Sequence, residues 1–544
     1  MTTATKPTTL TARRLRSYAA LAGVVSAGVL LAVGELVSVV VGAASSPLLA
    51  VGSFVIDIFP PWAKDLVIAL FGTNDKLVLL LSLGLAVVIA ASIGGVLQLV
   101  RPPLGVVVVA IAGVLSMAAI VTRAGATPWD AVPTLIGTVI AGYVIHASIG
   151  RLRQWRDESV GESEKASTGE SESMLESLIA NETPSPAAGL ARRSFLSFTL
   201  IAGVAAAVVG TGSRLINQSL SSLAAVRDAL KLPAPRTTVP IPAGADLGIP
   251  GVTPLFVSND DFYRIDTALT VPTIDPSTWS LRISGMVDRE VTLSFQELLD
   301  LGVDEYVITL TCVSNEVGGP LLGNAKWLGV PLRTVLALAG PASGADMVLS
   351  TSVDGFTAGT PIEALTDPML DAILAVGMNG EPLPLEHGFP VRMVVPGLYG
   401  YVSATKWLSE LKVTTFADDE GYWTPRGWDA LGPIKLSSRL DTPRADKPVP
   451  AGLTKVAGVA WAQPVGVAKV DVKIDGGSWM PATLSTPINT DSWVQWYVDW
   501  EATSGVHTIV VRATDLDGNV QIEERVPPAP NGSTGLQSSL VRVS

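Results

Sequence analysis

Four stretches of this chain carry no charged residue: Leu77–Val100, Pro102–Thr122, Ala131–Gly150 and Ser194–Ser213. Each supplies the roughly 20 apolar residues that a helix needs to cross the hydrocarbon core of a bilayer. Lipid offers no partner to a bare backbone, so such stretches fold as helices that close their own hydrogen bonds. Ala19–Gly42 is a fifth candidate, interrupted by Glu35. Glu35 lies on a Gly34-xxx-Ser38-xxx-Gly42 row of small residues that permits close helix packing. Residues 46–71 hold two short apolar runs separated by Pro60-Pro61 and flanked by Asp57, Lys64 and Asp65. Neither run is long enough to span, which predicts an interfacial or re-entrant segment.

Orientation follows the distribution of Lys and Arg. Lys6, Arg13, Arg14, Arg16, Arg101, Arg151, Arg153 and Arg156 all fall on one side if the N-terminus is cytoplasmic; Arg123 is the exception. The expected order is a cytoplasmic tail at 1–18, four transmembrane helices within 19–150 and an acidic linker at 151–191. The linker, rich in Glu and Ser, cannot bury a core and is expected to be disordered. A fifth transmembrane helix at 192–216 and a Pro-rich tether at 217–250 follow. The fifth helix opens on Ala191-Arg192-Arg193-Ser194-Phe195-Leu196, which reads as a twin-arginine export signal rather than an ordinary basic flank. This predicts a multi-pass cell-membrane protein with a retained anchor, whose chain beyond residue 217 is extracytoplasmic.

Composition narrows the function. Of the 544 residues 48% are hydrophobic and 16% charged, with a net charge of −12, so nucleic acid is not an expected partner. Cys312 is the only cysteine, which excludes an intramolecular disulfide. The histidines are His146, His387 and His507, too few for a Cys/His zinc site or for paired haem ligands, and no haem is expected. His146, near the end of the fourth span, reads as a structural or snorkelling residue.

Beyond residue 250 the pattern changes. Trp279–Gly285 alternates like a strand, Leu293–Leu299 has helical spacing with Ser294 as its cap, and Val307–Cys312 is β-rich. These mixed elements predict an α+β domain over 251–417. Over 435–530, alternation at Val467–Ile474, Val494–Trp500 and His507–Ala513, with turns at Asp475-Gly-Gly477 and Asp517-Gly518, predicts an all-β sandwich, with 531–544 as a tail. Asp515–Asn519 lacks the spacing and distal Glu of a calcium loop and reads as a turn.

Six ordered motifs fall between residues 259 and 407. They are Asn259-Asp-Asp-Phe262-Tyr263-Arg264, Thr309-Leu-Thr-Cys312-Val-Ser-Asn315, Gly323–Leu332, Asp354-Gly-Phe356, Met378–Arg392 and Val395–Gly400 with Lys406-Trp407. Together they resemble the sulfite oxidase family of molybdenum enzymes. The resemblance implies a molybdenum–molybdopterin cofactor, with Cys312 as the metal ligand. It further implies that Asn259, Phe262, Tyr263, Arg264, Asn315, Asp354, His387, Arg392, Gly400, Thr405 and Lys406 line the cofactor. Gly397 and Gly400 would allow close backbone approach, and Arg264 and Phe356 would stand beside the reacting centre. The family carries an immunoglobulin-like domain at the position of the sandwich, which suggests a homodimer.

The departures are specific. Glu316 and Val317 stand where the sulfite-oxidising branch has basic residues, Phe356 replaces an expected tyrosine, and Tyr401–Thr405 lacks a basic-and-histidine pair. The expectation is therefore a multi-domain oxidoreductase acting on a small S- or N-oxide, with sulfite oxidation as one alternative. The others are a non-enzymatic surface module with a degenerate cofactor fold, and a membrane sensor or transporter. Besides the lipid bilayer and the substrate, its partner would be an electron carrier, either a quinone or a separate cytochrome.

Overall fold

A computed structural model describes residues 11–41, 45, 47, 75–122, 127–168, 187–218, 221–268 and 271–544. It divides into two units, Met1–Leu220 and Ser221–Ser544. The first unit contains α1 (Ala12–Val41), α2 (Asp75–Val100), α3 (Leu104–Val121), α4 (Val132–Thr168) and α5 (Ala187–Gln218). Among the described residues, five helices are long and apolar enough to cross a membrane by length and composition. The expected re-entrant segment at 46–71 lies, apart from Pro47, outside the described residues. Leu15, Ala19, Ile145, Ile149, Leu152, Trp155 and Phe195 form a shared core of α1, α4 and α5. Phe195 of the arginine motif is thus a packing residue, with its ring centroid 5.9 Å from that of Tyr18.

The linker expectation needs correction. α4 does not stop at the apolar boundary but continues to Thr168. Its extension contains Glu158, Glu162, Glu164, Lys165 and Ala166, good helix formers that need no buried face to continue a helix already nucleated upstream. The tether expectation is corrected as well. Ser221–Ala229 forms helix α6, and the irregular segment that follows is bonded into the rest of the second unit. Arg227 donates to the Leu383 carbonyl at 3.0 Å, and Arg236 pairs with Asp304.

In the second unit the α+β part has two sheets. Its strands are β1 (Ser280–Gly285), β2 (Val291–Ser294), β3 (Asp304–Thr311), β4 (Leu322–Pro331) and β5 (Met347–Ser352), then β6 (Thr357–Pro361), β7 (Ile373–Met378), β8 (Glu381–Pro382), β9 (Arg392–Val394) and β10 (Leu408–Thr414). One sheet has the order β2-β1-β10-β5-β6; the other runs β3-β4-β7-β8, with β9 also on β7. Ser294 caps the helix Phe295–Asp300 through a capping box with Glu297, as its sequence requires. β3 is an edge strand, paired in register with β4 so that Thr309 faces Asn324.

The C-terminal part contains β11 (Ser437–Thr442), β12 (Gly452–Trp461), β13 (Val467–Ile474), β14 (Met480–Pro481), β15 (Thr483–Leu484), β16 (Val494–Ala502), β17 (Gly505–Asp515) and β18 (Gln537–Val543). They form two four-stranded antiparallel sheets, β11-β12-β16-β15 and β14-β13-β17-β18. Val456, Val470, Val472, Trp496, Ile509, Val511 and Val541 belong to their common core. The expected tail at 531–544 is corrected: Gln537–Val543 completes the second sheet against β17. Asp515 accepts from the Asn519 N–H at 2.8 Å, the turn read from the sequence.

Candidate active site

Cys312 follows directly on β3, whose β-branched run carries the chain to the floor of a cleft. A tight turn holds it. The Asn315 N–H donates to the Cys312 carbonyl at 3.0 Å, and the Asn315 side chain accepts from the Leu321 N–H at 2.9 Å. Burial pushes the Cys312 thiol up, opposed by the N–H and hydroxyl of Ser314. Asn315 therefore shapes the turn and does not line the cleft.

Opposite lies a cationic wall. His387 ends the short helix Leu385–His387, closed by Gly388 at φ +108°. A Cβ on Gly388 would stand 3.0 Å from the Arg392 Cβ and 3.1 Å from the Lys406 Cα, so this glycine lets the three side chains converge. His387 Nε2 lies 3.1 Å from the Asn259 carbonyl, and its ring meets Phe262 edge-on at 5.6 Å. Burial, reinforced by Arg392 and Lys406, lowers its pKa to about 4. Arg392 is buried; it donates to the His387 carbonyl at 3.2 Å and lies 5.2 Å above the Trp327 ring. Burial lowers its pKa to about 10. Among the described residues no carboxylate pairs with it. Lys406 is held differently. Its ammonium donates to Asp266 at 2.8 Å and to the Glu386 carbonyl at 3.1 Å, and burial brings its pKa to about 8. The same Asp266 oxygen accepts from Arg264 at 2.8 Å.

The His387 shift has a consequence for stability in cofactor-free protein. Between pH 4 and the ordinary value near 6.5, the unfolded histidine holds a proton that the folded one does not. Stability is then present above about 6.5 and lost as pH falls towards 4, by roughly 3 kcal/mol in all. His387→Gln should flatten that acid limb, which urea unfolding near pH 4.5 and pH 7 can measure.

Of the sequence-derived candidates, Phe262, Tyr263, Cys312, Asp354, Phe356, His387, Arg392, Gly400 and Lys406 line one cleft. Asn259, Arg264, Asn315 and Thr405 do not. Asn259 is tied back to Asn379, whose side-chain amide donates to it at 2.9 Å, and buried Thr405 bonds Ser350 at 2.7 Å. Gly397 adopts φ +78°, and a Cβ there would press on Pro464 at 3.0 Å, so its need is packing rather than cofactor approach. Gly400 has room, with the nearest atom 3.5 Å away. Glu316 is exposed and outside the cleft, so it does not repel an anion there. Sequence reasoning missed Asp266, Tyr401, Trp423 and Trp428. The two tryptophans lie beyond the expected boundary at 417; with Phe356, Tyr401 and Tyr422 they form an aromatic mouth, Phe356 being 5.8 Å from Tyr422 and Tyr401 5.8 Å from Trp428.

The family model described as an oxidoreductase molybdopterin binding domain matches residues 268–423. The sulfite oxidase of Gallus gallus is 30% identical over 321 residues, covering 50% of this chain and 69% of its own. The chain belongs to the sulfite oxidase family of molybdopterin oxidoreductases. Mitochondrial sulfite oxidase of Homo sapiens is 28% identical over 348 residues, 55% of this chain and 64% of its own. The inducible nitrate reductase [NADH] 2 of Glycine max is 28% identical over 320 residues, 47% of this chain and 36% of its own. The chain thus spans about two thirds of the sulfite oxidases and about a third of the nitrate reductase.

Membership in the sulfite oxidase family implies molybdopterin, and the residues present fit it. A thiol suited to a soft redox metal sits on the cleft floor. A buried guanidinium without a carboxylate partner is costly unless an anion joins it, and the phosphate of a pterin cofactor is such an anion.

Proposed function

We propose that this chain is a membrane-anchored, outward-facing molybdopterin oxidoreductase acting on a small neutral or zwitterionic S- or N-oxide. The observation that carries this reading is the pairing of Cys312 with the unneutralised Arg392 in one cleft. Cys312 would ligate the metal, and Arg392, His387 and Lys406 would hold the pterin. Bound molybdenum would supply two-electron oxygen-atom exchange. The Ser314 donors favour the thiolate that ligation requires. With a pKa of about 4, His387 stays neutral at ordinary pH and leaves its ring free to hydrogen-bond without adding charge.

The substrate reading rests on the mouth. Lys406 and Arg264 are both committed to Asp266, and the remaining wall is aromatic at Phe356, Tyr401, Trp423 and Trp428. Arg392 lines the same cleft but would be taken by the pterin, so a dianion would lose its hydration there without gaining an uncommitted cation. Sulfite oxidation is the alternative that the names of the relatives favour. Steady-state assays of sulfite against methionine sulfoxide and related oxides, with artificial electron carriers, distinguish the two. The oxides are expected to be the better substrates; sulfite turnover above the roughly 10⁴ M⁻¹s⁻¹ typical of enzymes would overturn the substrate reading.

Five apolar helices support the anchor, and the Lys/Arg bias supports a cytoplasmic N-terminus. Residue 165 is then inside and residue 450 outside. Labelling of single cysteines introduced at those positions tests this, and both on one side would contradict it. Arg192→Lys with Arg193→Lys keeps the charge and should strand the catalytic domain inside if export reads the arginine pair. The electron partner would be a quinone or a separate cytochrome. The C-terminal sheets fit an immunoglobulin-like domain, through which the protein could dimerise.

A further inference from the structure

Cys312 ends an edge strand, and an edge strand presents unpaired backbone groups that something must cover. At its start the cover comes from the segment ahead of the α+β sheets: the Glu305 N–H donates to the Thr237 carbonyl at 2.9 Å. On its second half, which leads into Cys312, the cover comes from the C-terminal two-sheet part. The Asn489 side chain donates to the Val307 carbonyl at 2.9 Å. The Thr309 N–H donates to the Asp491 carbonyl at 3.0 Å, and Gln463 donates to the Thr309 carbonyl at 3.0 Å. The Trp493 N–H donates to the Thr309 hydroxyl at 2.9 Å, and that hydroxyl in turn reaches Asn324 at 3.0 Å.

The same part also grips the loop beyond the cysteine. Ser533 donates to the Asn315 carbonyl at 2.6 Å, and Arg439 to the Gly319 carbonyl at 3.1 Å. Val459, Trp461 and Trp493 share one core with Ile308, Leu310 and Val313. Both flanks of Cys312 are therefore fixed by residues more than 100 positions later in the chain.

We infer that Gln463, Asn489, Arg439 and Ser533 are positioning residues for Cys312, so that the C-terminal part belongs to the machinery that presents the thiol to the cofactor. The link to a cofactor rests on the reading of Cys312 as metal ligand; the link to the thiol does not. Cys312 borders the cleft yet is largely buried, so its alkylation rate depends on how firmly its flanks hold it, and loosening them raises its reactivity without global unfolding.

The test uses the full chain, purified from cells blocked in molybdenum cofactor synthesis, with iodoacetamide as the probe of its single thiol. Gln463→Ala with Asn489→Ala, and separately Ser533→Ala with Arg439→Gln, should each raise the alkylation rate of Cys312 by about tenfold at unchanged circular dichroism. Ser533→Ala alone removes one bond and serves if a double variant does not fold; Ser533→Thr, which keeps the donor, should restore the slow rate. Lys455→Ala with Asp499→Ala breaks an exposed ion pair of the same part, 2.7 Å long, and should leave the rate unchanged. Unchanged alkylation in the flanking variants, or an equal rise in the Lys455/Asp499 control, would overturn the inference. In cofactor-competent cells the flanking variants should also retain less molybdenum than the parent. A parent protein that never holds molybdenum would sink the functional reading and leave the alkylation result standing.

Discussion

Serine in place of Cys312 should reduce turnover by more than the roughly 100-fold that even an outer-shell partner of a metal can cost. Cys312 is the only cysteine of the chain, so no other residue can supply a thiolate. A serine hydroxyl is a hard, weakly acidic donor and a poor substitute for a soft one. The two side chains are close in size, and the turn around Cys312 is held by backbone groups and by Asn315. Circular dichroism and thermal melting should therefore change little while bound molybdenum falls. A Cys312→Ser protein that stays molybdenum-replete and active would refute the ligand assignment.

Replacing Arg392 by methionine should have effects of opposite sign in the two forms of the protein. In the cofactor-free form the guanidinium is buried with carbonyl partners and, among the described residues, no carboxylate. An apolar side chain of similar length removes a desolvated charge; even whole buried ion pairs, which have their own attraction to lose, can be replaced this way with a gain of roughly 1–4 kcal/mol. Cofactor-free Arg392→Met should thus melt higher than its parent. The cofactor-bearing form should lose what the charge is there for, and retain roughly 10–100-fold less molybdopterin. Thermal melts of both forms, with pterin fluorescence after extraction, read both signs. A variant that is less stable without cofactor yet holds it normally would contradict the account.

The site residues came from the resemblance to the sulfite oxidase family, and what the structure adds is where each one lies. Cys312, His387, Arg392 and Lys406 each stand in a distinctive local motif, and the fold brings all four to one cleft. What escaped was tertiary. Asp266 is two residues from Arg264, but only the fold places it against Lys406, 140 positions away. Trp423 and Trp428 lie in a segment with no strand or helix pattern, and their value comes from Tyr401 and Phe356 opposite. Glu316 adjoins the cysteine motif yet points to solvent, because the turn at Cys312–Asn315 carries the chain away from the cleft.

The same division holds for the fold. The apolar helices were readable from the length of their uncharged stretches, and the strand Val467–Ile474 from its alternation. β18 was not: Gln537-Ser-Ser-Leu-Val-Arg-Val543 is short and half polar, and it becomes a strand because β17 offers it an edge. The extension of α4 to Thr168 was hidden by its charge, which suggests a linker but is compatible with helix.

Metal analysis of the purified full chain, expressed where the molybdenum cofactor is made, tests the central claim most directly. Equimolar molybdenum with extractable pterin is the predicted result. Protein that is folded and outside the cofactor-blocked background, yet free of molybdenum, would contradict it.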